Sequence, residues 1–381
     1  MAENNSIYRE RFNLTLQHKP VDRCPIDLGG TPQSTMDSWD SVKLLAEYLG
    51  FNGVMPDDYD KFDRRILEHW DIDFRRVGVL IPFKTKYNQE VSDTESIDEY
   101  GIRRAFTGLY YDIVASPLQN ATRDDIIAYE FPTLDQMLPV LDDCEARAKK
   151  LYEESPYVIV GEHPVLGVLE LACWLCGYDT LMMMLALDPD TVHLLFSKIL
   201  EFQKRTLRAY YEKIGRYIHL TTSGDDFGTQ KSLFMSPGMW REFVKPYMAE
   251  RIAYTAKFTD AVYMHHSCGA IYDIIPDLAE IGVRILNPIQ PAAEGMAPER
   301  LKSNYGDKIT FHGGLDTQDV LPAGDPVEIE GAVEHLLGVM HPWKDGGYIF
   351  ASAHNLQVDV SSKSIALMYD SVAKKAGSLN R

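Results

Sequence analysis

The chain has 381 residues, and its hydrophobic fraction of 45% and charged fraction of 25% are typical of a globular protein with a large core. A formal net charge of -18 disfavours nucleic acid and anionic membranes as partners, because both would be repelled. Five cysteines, an odd count at sparse spacing, argue against a secreted disulfide scaffold. The polar start and the lack of an apolar run long enough to span a bilayer predict a cytoplasmic protein.

Short apolar runs alternate with helical segments along most of the chain. Asp188 before Pro189 and Ser236 before Pro237 are typical of helix starts, because each pair puts a capping side chain ahead of a proline at the first helical position. We count about eight apolar runs, the number of strands in a (β/α)₈ TIM barrel. They lie at residues 24–27, 74–77, 157–160, 218–221, 262–265, 284–287, 309–312 and 348–351. The sequence therefore predicts an α/β fold, a single barrel domain over residues 1–381 with an N-terminal extension.

Residues 84–132 do not fit this alternation. Their pattern is closer to that of short strands joined by turns. We therefore predict an inserted β-rich excursion between barrel units, either a hairpin or a lid over the active site.

Polar and ionisable side chains follow nearly every predicted strand. The C-terminal ends of barrel strands share one face, and that face holds the active site. A loop can supply one such cluster by chance, but six or seven in register predict a common pocket. We expect acid–base or orienting roles for Asp226 and Glu162, and substrate contacts from Asn287, Gln290, Asp316 and Asn355.

An imidazole and a thiol two residues apart, those of His266 and Cys268, follow the fifth strand. Zinc binds both ligand types in tetrahedral geometry, and a catalytic zinc site keeps one position open for substrate. We expect the third ligand from His354, after the last strand, and a fourth from Glu162, Asp226 or the substrate. The alternative is that His266 and Cys268 only pack and cap a helix, since a short His-x-Cys motif is weak evidence by itself.

Two neighbouring motifs have plainer interpretations. Cys173 and Cys176 have the CxxC spacing, but they lie in an apolar helical segment, which favours packing over redox or metal chemistry. Asp225 and Asp226 are adjacent at a strand end, and we expect only Asp226 to face the pocket because side chains alternate along a strand. For the same reason His265 should point away from the pocket.

Four segments carry a resemblance to one known superfamily. They are residues 8–25, the run from His266-Ser267-Cys268-Gly269 to Asp277, residues 282–288 and residues 308–316. Together they resemble the uroporphyrinogen decarboxylase superfamily over nearly the whole chain. Within it, the His-x-Cys-Gly element is similar to the zinc motif of methyl-corrinoid:thiol methyltransferases.

This resemblance implies a zinc-dependent methyltransferase that moves a methyl group between a small methylated compound and a corrinoid (cobamide), for example in O-demethylation. We expect the corrinoid on a separate carrier protein, because the sequence offers no corrinoid-binding domain. The thiol methyltransferases have cysteine where this chain has His354, whereas porphyrinogen decarboxylases have histidine there, as this chain does. True decarboxylases carry an Arg-Gln-Ala-Gly-Arg stretch after the first strand, and this chain has Asp27-Leu28-Gly29-Gly30 there. The missing arginines argue against an octacarboxylate substrate.

Two rival functions stay open at this point. One is a decarboxylase or lyase of a small acid or tetrapyrrole, which a basic pocket formed by Arg75, Arg76, Arg103 and Arg104 would favour. The other is a non-catalytic corrinoid- or tetrapyrrole-binding protein, which the absence of metal at His266 and Cys268 would favour. The sequence does not indicate the oligomeric state.

Overall fold

The computed structural model describes residues 6–53, 62–78, 85–108, 111–134 and 138–378. Its main sheet is formed by β1 (Phe74–Arg76), β6 (Val158–Glu162), β7 (Leu220–Gly224), β8 (Val262–His266), β9 (Ile285–Asn287), β10 (Thr310–His312) and β11 (Tyr348–Ile349). A smaller sheet is formed by β2 (Gln89–Ser92), β3 (Glu95–Ile97), β4 (Arg103–Phe106) and β5 (Tyr111–Ala115).

The helices before the third strand of the main sheet are α1 (Ile7–Leu16), α2 (Trp39–Tyr48), α3 (Arg64–His69), α4 (Arg123–Ala128), α5 (Leu138–Glu154), α6 (Val168–Cys176), α7 (Tyr178–Leu187) and α8 (Pro189–Ile214). Those that follow are α9 (Pro237–Phe243), α10 (Lys245–Thr255), α11 (Ile275–Glu280), α12 (Pro298–Tyr305), α13 (Val320–Ala323), α14 (Pro326–Met340), α15 (Pro342–Asp345) and α16 (Ser362–Ser378). Among the described residues no single helix is long and apolar enough to cross a membrane; α6 and α7 reach that length only together, with a bend of 108° between them.

Both predicted helix starts are present, and each is capped by the side chain that we predicted for it. Asp188 accepts the N–H of Thr191 at the start of α8, and Ser236 accepts the N–H of Met239 at the start of α9. Each cap satisfies a backbone donor that has no partner inside the helix.

All strands of the main sheet are parallel, in the order β1-β6-β7-β8-β9-β10-β11. Strands that follow one another in this sheet are neighbours in space, with helices between them along the chain. This curled parallel sheet with its helices is a TIM-barrel-like α/β fold, as the sequence predicted.

The predicted first strand, residues 24–27, is not formed as a strand. Ile26 makes one isolated parallel bridge to Phe350, and its carbonyl accepts the N–H of Asp73 (3.1 Å). Pro25 has no N–H with which to extend the ladder. The segment thus contacts both edges of the sheet through isolated hydrogen bonds, and the prediction of eight strands is corrected to seven.

The inserted segment contains the second sheet, which is antiparallel in the order β2-β3-β4-β5 and is followed by α4. The β-rich excursion expected within residues 84–132 is therefore present. Most of its strand residues are exposed or half-buried. One side of β5 borders a cavity whose other wall is formed by α6 and α7.

The apolar core has two parts separated by the main sheet. The inner part contains Val160, Met264 and Ile285, and Phe12 of α1 packs edge-on against Phe74 there, with 5.7 Å between ring centroids. The outer part, between sheet and helices, takes the alternate residues of the same strands. Helix α1 therefore contributes to the inner core, opposite the polar strand ends.

Candidate metal centre

The candidate site lies at the C-terminal ends of the main strands because side chains alternate along each strand. Val160 and Met264 belong to the inner core. Two residues further along the same strands, Glu162 and His266 face the same interior, and Asn287 does so in β9. The alternation that builds the core thus also positions the polar site.

The structure brings the three predicted metal ligands together. The candidate ligand atoms of His266, Cys268 and His354 all lie within 4.8 Å of one another. Sγ of Cys268 is 3.4 Å from Nε2 of His266, and the two imidazole rings are 5.8 Å apart between centroids. Residues from the end of β8 and from the loop after β11 therefore meet at one point.

A buried hydrogen-bonded chain fixes the ring of His266. Oδ1 of Asn287 accepts from Nδ1 of His266 (2.5 Å), and Nδ2 of Asn287 donates to Nδ1 of His312 (2.8 Å). Nε2 of His312 then donates to Oδ2 of Asp27 (3.0 Å). With Nδ1 of His266 carrying the proton, Nε2 presents its lone pair to the ligand cluster, as a metal-binding imidazole requires.

Asp27 anchors the far end of this chain and was not among the predicted site residues. Its carboxylate also accepts from the hydroxyls of Thr31 (2.7 Å) and Ser34 (2.6 Å) and from the N–H of Gly30 (3.0 Å). Asp27 and His312 have no exposed surface. The strand-end position of Asp27 was visible in the sequence, but its partner lies 285 residues away.

The two adjacent aspartates, Asp225 and Asp226, point in different directions and accept hydrogen bonds from different elements. Asp225 is buried and accepts the N–H groups of Leu169 (3.2 Å) and Glu170 (2.7 Å), which caps α6. Asp226 accepts the N–H of Cys268 (2.7 Å), and its Oδ1 lies 3.8 Å from Nε2 of His266. Asp226 is thus the aspartate beside the candidate ligands.

Glu170 is a further carboxyl group near the cluster that sequence reasoning missed. It lies in the first turn of α6, where an acidic residue is ordinarily explained by the helix dipole. Burial and the nearby carboxylates of Asp226 and Asp225 raise its pKa well above the usual value, while Arg104 acts in the opposite direction. Only the fold reveals that this helix start adjoins the strand ends.

The electrostatics of the cluster favour a bound cation. Burial raises the pKa of the Cys268 thiol, and the carboxylates of Asp226 and Glu170 raise it further. Burial, together with nearby His266, lowers the pKa of His354. Two imidazoles and a thiol beside two carboxyl groups form a set of electron-pair donors, and such a set suits a metal ion.

Glu162 lies inside the barrel-like sheet but is separate from the three ligands. Its Oε2 is 3.8 Å from Nη1 of Arg76, which ends β1. Among the described residues the group of mutually close ligand atoms has three members, and neither Glu162 nor Asp226 joins it. The arrangement leaves room in a tetrahedral set for one more ligand.

Asn287 lies between two histidines of the site. Both ends of its amide are used, by His266 and by His312, and the side chain has no exposed surface. These two hydrogen bonds hold the ring of His266 in place, and the contact with substrate expected of Asn287 stays a prediction.

The other three predicted substrate residues have structural partners and some exposed surface. Gln290 accepts the N–H of Gly269 through Oε1 (2.6 Å), which holds the loop after Cys268. Asp316 accepts three backbone N–H groups of residues 318–320 through Oδ1. Asn355 accepts the N–H of Thr35 (3.1 Å). Their contacts with substrate stay predictions.

The residues for which we expected only structural roles are buried among other core residues. His265 is fully buried on the outer side of the sheet, where Nδ1 contacts Oγ of Ser223 (3.1 Å) and the ring stacks on Phe227. Cys173 and Cys176 are free thiols buried in the outer core. Burial raises the pKa of both thiols, which keeps them protonated and unreactive.

Comparison with solved structures supports the fold. A methyltransferase from Methanosarcina mazei superposes with a TM-score of 0.67 at 14% identity, over 97% of this chain and 99% of that one. At this identity the match is evidence of a shared fold alone. The native xylanase 10B from Thermotoga maritima reaches a TM-score of only 0.37 at 8% identity, over 69% of this chain and 85% of that one. No curated protein matches the chain in a sequence search.

Comparison with family profiles identifies the superfamily directly. The profile described as uroporphyrinogen decarboxylase (URO-D) matches residues 113–375. The matched region contains every candidate metal ligand, both carboxylates Asp226 and Glu170, and Asn287 with His312. The chain therefore belongs to the uroporphyrinogen decarboxylase (URO-D) family.

Proposed function

We propose that this protein is a zinc-dependent methyltransferase that moves a methyl group between a small methylated compound and a corrinoid. The observation that carries the proposal is the convergence of His266, Cys268 and His354, with His266 held by Asn287. Family membership and the fold shared with a methyltransferase support an enzyme of methyltransferase type. The requirement for zinc, the use of a corrinoid and the nature of the substrate are our proposals.

The residues present fit zinc better than other common metals. Two imidazoles and one thiolate are ligands that zinc prefers, whereas magnesium and calcium prefer oxygen. Three protein ligands leave one tetrahedral position for a substrate atom. Bound there, zinc would act as a Lewis acid on the heteroatom that gives up or receives the methyl group.

The carboxyl groups around the cluster would handle the polar part of the substrate. Oδ1 of Asp226 accepts the N–H of Cys268 and lies 3.8 Å from Nε2 of His266, so we propose that this carboxylate orients a substrate heteroatom or accepts its proton. Glu162 faces the same interior with its charge partly balanced by Arg76. We propose orienting or proton-handling roles for both carboxylates.

The corrinoid and its carrier complete the proposal. We propose that the corrinoid is held on a separate carrier protein. That carrier would dock over the C-terminal strand ends, where the candidate ligands lie. We further propose that residues 24–27, which hydrogen-bond to both sheet edges, take the place of the eighth barrel strand.

A polycarboxylate decarboxylase is less well supported, because the four arginines that would favour it already have other partners. Arg76 lies 3.8 Å from Glu162, and Arg104 lies 3.2 Å from Asp98. Arg75 packs over the ring of Tyr157 at 3.5 Å, and its Nη1 donates to backbone carbonyls. Arg103 pairs with Glu95 on the inserted sheet. We therefore expect no uroporphyrinogen decarboxylation by the purified protein, and turnover at ordinary enzymatic rates would overturn this conclusion.

The proposal is tested by supplying the reduced corrinoid directly. Purified protein with zinc is mixed with cob(I)alamin and a methylated donor, and methylation is followed through the corrinoid absorption spectrum. We expect a spectral change that depends on donor, zinc and Cys268. Methyl transfer that is unchanged in Cys268→Ser, or no transfer with any methyl ether, amine or thioether, would contradict the proposal.

A further inference from the structure

The inserted sheet forms one wall of a cavity beside the candidate metal centre. The cavity has a volume of about 580 Å³, and its walls are β4 and β5 on one side and the α6–α7 junction on the other. Arg104, Tyr111, Trp174 and Tyr178 are among its lining residues. This volume is within the range of cavities that hold ligands larger than methanol or a methylamine.

The cavity is connected to the candidate metal centre through α6. Cys173 and Trp174 line it and lie three and four residues after Glu170, so they share a helix face with that side chain. The N–H of Glu170 donates to Asp225 (2.7 Å), and the adjacent Asp226 accepts the N–H of Cys268 (2.7 Å). A ligand that extends from the cavity along α6 toward its N-terminus would approach Asp226 and the metal ligands.

The lining chemistry favours a flat ring with an oxygen acceptor. The guanidinium of Arg104 stacks over the indole of Trp174, with Cζ 4.4 Å from the ring centroid. Its Nε donates to Asp98 (3.2 Å), and among the described residues neither of its Nη groups has a hydrogen-bond partner. Tyr111 and Tyr178 are 54% and 44% exposed, so aromatic surface is available for stacking.

Other methylated compounds fit this lining less well. A quaternary ammonium would meet the guanidinium of Arg104, and like charges repel at this distance. Methanol would leave most of the cavity unfilled. An aromatic methyl ether matches both the stacking surface and the unused Nη donors.

We propose that this cavity binds the methylated substrate of the transfer and that the substrate is a planar aromatic methyl ether with an oxygen substituent facing Arg104. The assignment of this ligand as the methylated substrate rests on the proposed methyl transfer. The cavity's affinity for an aromatic ligand is measurable without that reaction.

A matched control exists in the same chain. Arg300 stacks over Tyr272, with Cζ 3.8 Å from the ring centroid, in another cavity of about 490 Å³ at the loops after β7, β8 and β9. Arg300→Met therefore removes the same kind of cation–aromatic pair as Arg104→Met at a different place.

Binding of methoxyphenols and methoxybenzoates is measured by isothermal titration calorimetry on the full chain, both with zinc and as the zinc-free Cys268→Ser variant. We expect Arg104→Met and Trp174→Ala each to weaken binding by about tenfold, Trp174→Phe to retain it, and Arg300→Met to leave it unchanged. Thermal unfolding identifies any variant that fails to fold. Tyr111→Ser, at a half-exposed position, then serves as the alternative cavity variant, with the same expected loss of affinity.

Two results would overturn the assignment: equal affinities in Arg104→Met and Arg300→Met, or tighter binding of tetramethylammonium than of any methoxyarene. The outcome is separable from that of the methyl-transfer proposal. Binding that depends on Arg104 without any transfer to cob(I)alamin would refute the reaction and keep the aromatic site. Transfer with an unchanged KM in Arg104→Met would refute the site and keep the reaction.

Discussion

Oδ1 of Asn287 lies 2.5 Å from Nδ1 of His266, and this contact determines which nitrogen of His266 is free to bind a metal. Nδ2 of the same amide donates to Nδ1 of His312, and Nε2 of His312 donates to Oδ2 of Asp27. Because every group in the chain is buried or half-buried, water does not readily replace a lost partner. The orientation of a candidate metal ligand thus depends on a carboxylate near the start of the chain.

Replacing Asn287 by leucine should weaken metal binding while the three ligands stay in place. Loss of the amide frees the ring of His266 to turn and to change tautomer, and removal of such an outer partner typically costs about 10–100-fold in metal affinity. The measurement is the zinc dissociation constant by competition with a chromophoric chelator. Gln290→Leu is the matched control, since Gln290 accepts the N–H of Gly269 (2.6 Å) and contacts Gln230 (3.5 Å) rather than His266, and we expect a smaller loss. Equal affinity in Asn287→Leu and the parent protein would show that the chain does not orient His266.

Replacing Phe12 by alanine should destabilise the fold without emptying the metal site. Phe12 is 2% exposed and packs edge-on against Phe74 in the inner core. Truncating a buried phenylalanine costs about 3–5 kcal/mol through lost burial and the cavity that remains. The urea concentration at the midpoint of unfolding should therefore be much lower in Phe12→Ala than in the parent protein. Zinc content per folded chain should stay that of the parent, because α1 packs against the inner core and the N-terminal ends of the strands, opposite the C-terminal ends that carry the candidate ligands. A change below about 1 kcal/mol would mean that α1 does not pack as described.

Acid should destabilise the protein partly through His219. Burial, with a contribution from Arg9, lowers the pKa of His219 to about 4, and its Nδ1 accepts the N–H of Ile159 (3.0 Å). Unfolding returns the pKa to about 6.5, so the unfolded chain binds a proton more readily below that value. The stability contributed by neutral His219 is present above about pH 6.5 and is lost as the pH falls toward 4, by roughly 2–3 kcal/mol.

The variant His219→Asn isolates this contribution, because its side-chain oxygen also accepts a hydrogen bond but does not titrate. Urea midpoints are compared at pH 7.5 and pH 5. We expect the loss of stability between these pH values to be smaller in His219→Asn than in the parent. An equal or larger loss in the variant would place the acid sensitivity elsewhere.

The parts of the site that follow local sequence rules were predictable. The two-residue alternation that makes Met264 a core residue also makes His266 face inward and His265 face outward, and helix starts at Asp188 and Ser236 follow from capping chemistry. Contacts between distant segments could not be predicted in this way. The link from Asp27 to His312 spans 285 residues, and no periodicity in either segment encodes it.

At two further places the structure differs from the sequence-based prediction because of contacts that arise only in the folded chain. The run at residues 24–27 has strand-forming composition, but Pro25 and the geometry of the sheet edges limit it to isolated hydrogen bonds. Glu170 reads as an ordinary acidic residue in a first helical turn. It joins the site because Asp225 caps that turn and draws α6 toward the end of β7.

Metal analysis of purified variants tests the central claim most directly. We predict about one zinc per parent chain, loss of most of it in Cys268→Ser, retention in His354→Cys because thiolate replaces imidazole as a ligand, and no change in the matched control Cys176→Ala. Circular dichroism checks that each variant is folded. Full zinc occupancy in folded Cys268→Ser, or loss of zinc in folded Cys176→Ala, would contradict the assignment of the site to His266, Cys268 and His354.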